Sequence, residues 1–245
     1  MVSNQGREPL IRLRGINYAY PGEPPVLEAL DFDMYRGDRI GLLAPNGSGK
    51  TTLFHLIMGL LTPDAGQIEI FGRAVESEKD FIKVRQKIGL LFQDADDQLF
   101  SPTVIEDVAF GPLNLGKSKK EALEISRRVL SFLGLSGFED RITFKLSGGE
   151  KKLVSLATVL SMEPEVLLLD EPLTGLDIKT RAKLREVLQS IEMSYMAISH
   201  DIDFLTEATQ AVYTMAEGKI LEDKEFHFHQ HEHAHPLGNL PHRHK

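Results

Sequence analysis

Apolar positions along this chain follow two periods, one suited to strands and one to helices. Residues 10–18 (Leu-Ile-Arg-Leu-Arg-Gly-Ile-Asn-Tyr) partly alternate apolar and polar, as a half-buried strand does. Tyr18-Ala19-Tyr20-Pro21-Gly22 breaks that pattern into a turn. Val26 to Tyr35 reads as a second strand, Arg36-Gly37-Asp38 as a turn and Arg39 to Leu43 as a third strand. A helix is predicted next, because Leu53, Leu56, Ile57, Leu60 and Leu61 recur at a core-facing spacing. Thr62-Pro63-Asp64-Ala65-Gly66 stops it. Gln67 to Phe71, ended by Gly72, and Ile88 to Phe92 read as strands, with a short helix over Phe81 to Lys87 between them.

From Gln93 to about Ser161 the pattern changes to loops and helices with no clear strand. Ser118-Lys119-Lys120-Glu121 is a capping box for a helix running to about Gly134. Its expected core stripe is Leu123, Leu130 and Leu133, with Ile125, Val129 and Phe132 alongside. A second helix starts near Gly148 and carries Leu153, Val154, Leu156, Ala157 and Leu160. Val166 to Leu169 is an uninterrupted apolar run, suited to a parallel strand buried on both faces. A helix over Ile178 to Glu192 and a strand over Met196 to Ser199 follow. Strands alternating with helices predict a mostly parallel α/β sheet with a helical block inserted in it.

Composition narrows the class. The chain has 245 residues, enough for one or two domains with a sizeable core. Its net charge of −8 speaks against a nucleic-acid-binding surface. With no cysteine there is no disulfide, thiol catalysis or Cys-based zinc site. No apolar run approaches the ~20 residues that span a bilayer, and no charged-then-apolar signal segment opens the chain. Any membrane role is therefore expected through a partner.

The chemistry gathers at predicted strand ends, where parallel sheets place their ligands. Leu42 to Leu53 reads Leu-Leu-Ala-Pro-Asn-Gly-Ser-Gly-Lys-Thr-Thr-Leu, a strand, a small-residue loop and a helix start. This meets G-x-x-x-x-G-K-[ST] at all but the first position, where Ala44 replaces Gly. Ala44 is harmful only if that residue needs a positive φ. Across Ala44, Pro45, Asn46, Gly47, Ser48, Gly49, Lys50, Thr51 and Thr52, the glycines let backbone N–H groups turn toward a phosphate. Lys50 can then reach β- and γ-phosphates, and the Thr51 hydroxyl can hold Mg²⁺. Asp170 ends an apolar strand, the place of an acid that completes the Mg²⁺ shell, and Glu171 beside it can orient or deprotonate water. Gln93 and His200 also follow predicted strands. Ser147, Gly148 and Gly149 open another helix after Leu146, a second anion-binding start within one chain, which implies service to another copy's nucleotide. Taken singly, each of these is also a plain turn, cap or solvated side chain.

Together these residues resemble the ATP-binding subunits of ABC transporters over residues ~10–224. The resemblance implies a P-loop NTPase: a RecA-like core over about 10–93 and 162–224, an N-terminal antiparallel β part and a helical subdomain over about 94–161. It implies that Tyr20 stacks on adenine and that Gln93 senses Mg²⁺ and water and links the site to a membrane partner. Ser147 and Gly149 would contact the γ-phosphate held by the opposite copy, Asp177 would couple the two sites, and His200 would clamp the γ-phosphate. ATP would close a head-to-tail homodimer and hydrolysis would open it. Glu150 departs from the family's Gln and adds an anionic side chain near a phosphate site.

Phe92 to Val104, continuing through Glu106-Asp107-Val108-Ala109-Phe110-Gly111-Pro112, is similar to the ATPases of energy-coupling-factor (ECF) importers, especially the cobalt/nickel branch. That implies a transmembrane scaffold and a substrate-capture protein as partners, and a peripheral place on the cytoplasmic face of the membrane. A vitamin as cargo, or a soluble non-transport ABC ATPase, are the alternatives.

Residues 225–245 form a His-rich tail expected to be disordered, with His227, His229, His231, His233 and His235 at period two. If extended, these put five imidazoles on one side, suited to Ni²⁺, Co²⁺ or Zn²⁺. An inert tail or an expression tag is the alternative reading.

Overall fold

A computed structural model describes residues 8–45 and 47–221. Asn46 and the histidines from His227 onward lie outside the described residues. The chain forms β1 (Pro9–Ala19), β2 (Pro25–Tyr35), β3 (Arg39–Leu43), α1 (Lys50–Ile57), β4 (Ala65–Ile70), β5 (Arg73–Ala74), α2 (Glu78–Arg85) and β6 (Ile88–Leu91). A helical block follows: α3 (Val104–Asn114), α4 (Lys119–Phe132) and α5 (Gly148–Leu160). Then come β7 (Val166–Asp170), α6 (Ile178–Ser190), β8 (Ser194–Ser199), α7 (Ile202–Ala208), β9 (Ala211–Ala216) and β10 (Lys219–Leu221). No described helix is long and apolar enough to cross a membrane.

Two sheets result. The antiparallel one runs β2-β1-β4-β5; the other runs β10-β9-β3-β8-β7-β6 and is parallel except for β10. Its register explains how distant motifs meet. Leu43 pairs with Ser199, Ile198 with Asp170, and Leu169 with Leu91, so four strands end at one edge. The P-loop, Asp170-Glu171, His200 and Gln93 leave the sheet there.

The central strands are apolar on both faces because each face has its own core. From β7 and β8, Val166, Leu168, Met196 and Ile198 join the cluster between the sheets, with Leu53 and Phe54 of α1. Their alternates Leu167, Leu169, Tyr195 and Ala197 join the cluster under α3–α6. Burying one such Leu stabilises the fold by about 2 kcal/mol.

Several elements differ from the sequence expectation. α1 stops at Ile57, before Leu60 and Leu61, because the chain turns at Gly59 (φ 66). A Cβ there would lie 2.2 Å from the Phe81 ring, and Leu60 is left half exposed. α2 starts earlier than Phe81, fixed by a Ser77–Asp80 capping box. β4 starts at Ala65 and ends before Phe71, which takes φ 52 in the turn with Gly72. In α4 the buried stripe is Ala122, Ile125, Ser126 and Leu130, while Leu123 is intermediate and Phe132 exposed. Ser126 can occupy a core position because its hydroxyl donates to the Ala122 carbonyl at 2.7 Å.

Candidate nucleotide site

The P-loop geometry follows from its glycines. Gly47 and Gly49 take φ values of 79 and 93, in the left-handed region that a Cβ disfavours. A Cβ on Gly49 would also press within 2.8 Å of Val26. Ala44 is buried and is not among the residues with positive φ, so the missing first glycine costs the loop nothing. The Ser48 hydroxyl is buried with no protein partner. Tyr20 is anchored beside the loop by a 3.1 Å hydrogen bond between its hydroxyl and that of Thr52. Its ring meets Tyr18 edge-on.

Lys50, buried, donates to Glu171 Oε1 at 2.9 Å. Glu171 itself holds φ 43, a conformation that costs a non-glycine residue about 1–2 kcal/mol. It is fixed from several sides: its N–H donates to the Ile198 carbonyl, Thr174 Oγ1 donates to its carboxylate, and His200 Nδ1 lies 2.9 Å from Oε2. Burial pushes the Glu171 carboxyl up, but the contacts with Lys50 and His200 outweigh that and hold it below its ordinary value of 4.5. At pH 7 it is therefore an ionised acceptor.

Its neighbour behaves oppositely. Burial raises the Asp170 carboxyl above its ordinary 3.8, and the Thr51 hydrogen bond and Lys50 charge offset this only in part. Thr51 Oγ1 donates to Asp170 Oδ2 at 2.7 Å, while Asp170 Oδ1 is buried without a partner. An orphaned carboxylate oxygen beside a hydroxyl is an oxygen donor set that fits a hard divalent cation such as Mg²⁺. Thr51, Gln93 and Asp170 at the sheet edge, and Leu146, Gly148 and Lys152 from the helical block, line one cavity of about 670 Å³.

The second Gly-rich start is organised locally. Ser147 caps α5, and its N–H and hydroxyl both donate to Glu150 Oε2, at 2.8 and 2.9 Å. Arg141 donates to the other Glu150 oxygen at 2.9 Å while its guanidinium lies over the Phe138 ring. The Ser147 hydrogen bonds hold the Glu150 carboxyl below its ordinary range. The negative charge expected to intrude on a phosphate is thus consumed by the cap and by Arg141. Gly148 faces open space, whereas a Cβ on Gly149 would meet Thr180 Oγ1 at 2.8 Å. Asp177 sits beside it as the α6 cap, accepting from the Thr180 N–H and hydroxyl.

The sheet edge brings together Lys50, Thr51, Asp170, Glu171 and His200, with Gln93 on the wall of the adjoining cavity. Ser147, Gly149 and Asp177 group separately at the starts of α5 and α6. Sequence reasoning missed Thr174, Arg141 and the buried Lys152, whose ammonium donates to the carbonyls of Phe92 and Gln93.

Comparison with known proteins agrees with this geometry. The ABC transporter family model matches residues 27–174. A Nitratidesulfovibrio vulgaris protein named as an ABC transporter ATP-binding protein is 48% identical over 96% of this chain and 90% of its own. The energy-coupling factor transporter ATP-binding protein EcfA of Methanothermobacter thermautotrophicus is 43% identical over 87% of this chain and 70% of its own. Among solved structures, cbiO1 of Clostridium perfringens, described as part of the ABC transporter complex cbiONQ, superposes with a TM-score of 0.78 at 34% identity, covering 87% of each chain. A match over more than half the chain, on a P-loop fold whose acids meet at one sheet edge, makes this chain a member of the ABC transporter family, as an ATP-binding and ATP-hydrolysing subunit.

Proposed function

We propose that this chain powers an ECF-type importer from the cytoplasmic face of the membrane, acting as a homodimer. The supporting observation is the Lys50–Glu171–His200 cluster beside Thr51–Asp170, joined to the similarity with EcfA and cbiO1. In this reading residues 1–224 are the ATPase domain, with the helical subdomain over about 94–161. Tyr20 stacks on adenine, and the loop from Ala44 to Thr52, Asn46 included, wraps the phosphates. Lys50 leaves Glu171 for the β- and γ-phosphates. Thr51 and Asp170 would hold Mg²⁺, and Gln93, on the wall of the same cavity, would sense the ion and the attacking water. When bound, the ion neutralises phosphate charge as it develops. Glu171, ionised and fixed in place, orients water and takes its proton, while His200 holds the γ-phosphate.

Gly148 and Gly149 offer their N–H groups to the nucleotide of the opposite copy, beside Asp177, and the Ser147 hydroxyl turns from Glu150 to join them. A helix start with its cap satisfied internally suits delivery as a preformed unit. Cobalt or nickel is the cargo we favour, on the resemblance carried by residues 92–112 and on the histidines at 227, 229, 231, 233 and 235. Those histidines would hold Ni²⁺, Co²⁺ or Zn²⁺, and isothermal titration with Ni²⁺ tests this: equal binding by full and tail-deleted chains refutes it.

The deciding experiment is mass spectrometry of proteins that co-purify with the chain from gently solubilised membranes of its source. A transmembrane scaffold with a small metal-capture protein is the expected result. A vitamin-capture protein overturns the cargo alone, and recovery of soluble proteins only overturns the transport role.

A further inference from the structure

We propose that Lys152 is a positioning residue that holds the Gln93 turn in its working place from inside the helix opened by Ser147. The backbone leaves the sheet after Leu91, so the next carbonyls lose their strand partners. Two of them, on Phe92 and Gln93, converge on Lys152 Nζ at 2.8 and 2.9 Å. An ammonium carries three donors, so one side chain satisfies both carbonyls. Lys152 is only 2% exposed and sits in the fifth position of α5.

Burial of a cation here is costly. The Lys152 ammonium is held away from water with two backbone carbonyls as hydrogen-bond partners. A neutral side chain filling the same space would avoid that cost. The structure places a lysine where packing alone would be served by a leucine or methionine, and its ammonium goes to the backbone of the turn that carries Gln93.

Two further ties run in parallel. Gln98 accepts from the Phe92 N–H and donates to the Ser155 carbonyl and the Thr158 hydroxyl of α5. Lys151 pairs with Asp96. Residues 92–98 are therefore fastened to α5 along its length, and Lys152 is the buried tie nearest Gln93. Lys152 touches no reacting group; it acts through Gln93 and so rests on the reading that Gln93 senses the ion and water.

The test uses the full chain, with Mg-ATP hydrolysis and fluorescent-ATP affinity measured on Lys152→Met, Lys152→Arg, Gln93→Ala and the Lys152→Met/Gln93→Ala pair. Misplacing a site group by about 1 Å can cost up to about 100-fold, so Lys152→Met should lower kcat on the order of tenfold. ATP affinity should stay within about twofold, because the P-loop is untouched. Lys152→Arg should recover most of the rate, since a guanidinium can also donate to two carbonyls. The double variant should be no slower than Gln93→Ala alone.

A wild-type rate in Lys152→Met beside a slow Gln93→Ala overturns the positioning role and leaves the Gln93 reading standing. A wild-type rate in Gln93→Ala overturns both. Additive losses in the double variant show that Lys152 acts elsewhere and also overturn the proposal. If Lys152→Met does not fold, Lys152→Leu and Lys152→Arg decide: a slow Leu variant, which has no donor, with a fast Arg variant supports the tie, and equal rates refute it.

Discussion

The chain opens two helices on glycine-rich turns, and it finishes them in opposite ways. α1 begins at Gly49 with no side-chain cap, so its first N–H groups are left uncapped by side chains. Its residues are fixed from far away in sequence: Lys50 by Glu171 and Thr51 by Asp170. α5 begins at Ser147 with a complete capping box closed by Glu150, three residues on, and by Arg141. The first start is held by side chains from two distant strand ends; the cap of the second is closed by side chains within its own stretch, Arg141 to Glu150. A site built by long-range contacts is responsive, since moving one strand end changes it. A locally closed start keeps its shape when the body carrying it moves, which suits the proposed contact with a second copy.

The largest expected effect lies at the sheet-built start. Glu171→Gln should lower hydrolysis by about 10²–10⁴-fold while ATP still binds and dimer accumulates, read by phosphate release and size-exclusion chromatography. Turnover at the wild-type rate would remove Glu171 from the base role. Lys50→Ala should instead lose nucleotide binding itself.

Stability should split the two acids further. Glu171 is held below 4.5, so its contribution is present above that pH and is lost as pH falls through the lower folded value. Replacing it takes the paired carboxylate from the buried Lys50, and Glu171→Gln should lose about 1–3 kcal/mol without nucleotide. Asp170 is raised above 3.8, so ionising it weakens the fold; the penalty sets in as pH rises past 3.8 and is complete above the raised folded value. Asp170→Asn should therefore melt higher than the wild type at pH 7 while losing Mg²⁺-dependent activity. A lower melting temperature in Asp170→Asn would show that its orphaned oxygen carries no electrostatic penalty.

Legibility in the sequence followed the same division. The sheet edge was readable because each chemistry-bearing residue directly follows an apolar run, and parallel register does the rest. The Ser147–Glu150 start was readable as a helix cap, but Glu150 looked like an intruding charge, because Arg141 lies nine residues upstream in a stretch without period. Lys152 was illegible, since its partners are backbone carbonyls and a lysine on a helix ordinarily faces water. The left-handed Glu171 was equally hidden: tertiary contacts impose it against local preference. Ser126 misdirected the α4 stripe because a self-satisfied hydroxyl can pass for an apolar group.

At the locally built start, changes should be smaller and separable. Ser147→Ala removes the cap acceptor and the hydroxyl proposed to meet the opposite copy's phosphate. It should cost about 1 kcal/mol of stability and slow hydrolysis in the dimer, with the affinity of the P-loop for ATP unchanged. A weakened ATP affinity in the isolated monomer would mean that the two starts are not independent.

Glu150→Gln should do least, and its size measures how local this start is. Glutamine keeps the reach to the Ser147 N–H and hydroxyl, so the capping box persists. What is lost is the ion pair with Arg141, which is half exposed and worth at most about 1 kcal/mol. Arg141 still rests on the Phe138 ring and keeps its place. Thermal melting should therefore shift by no more than a few degrees, and ATPase activity should stay within about twofold. A much larger loss of activity at unchanged stability would mean that the Glu150 charge reaches the opposite nucleotide, and that the second start is no more self-contained than the first.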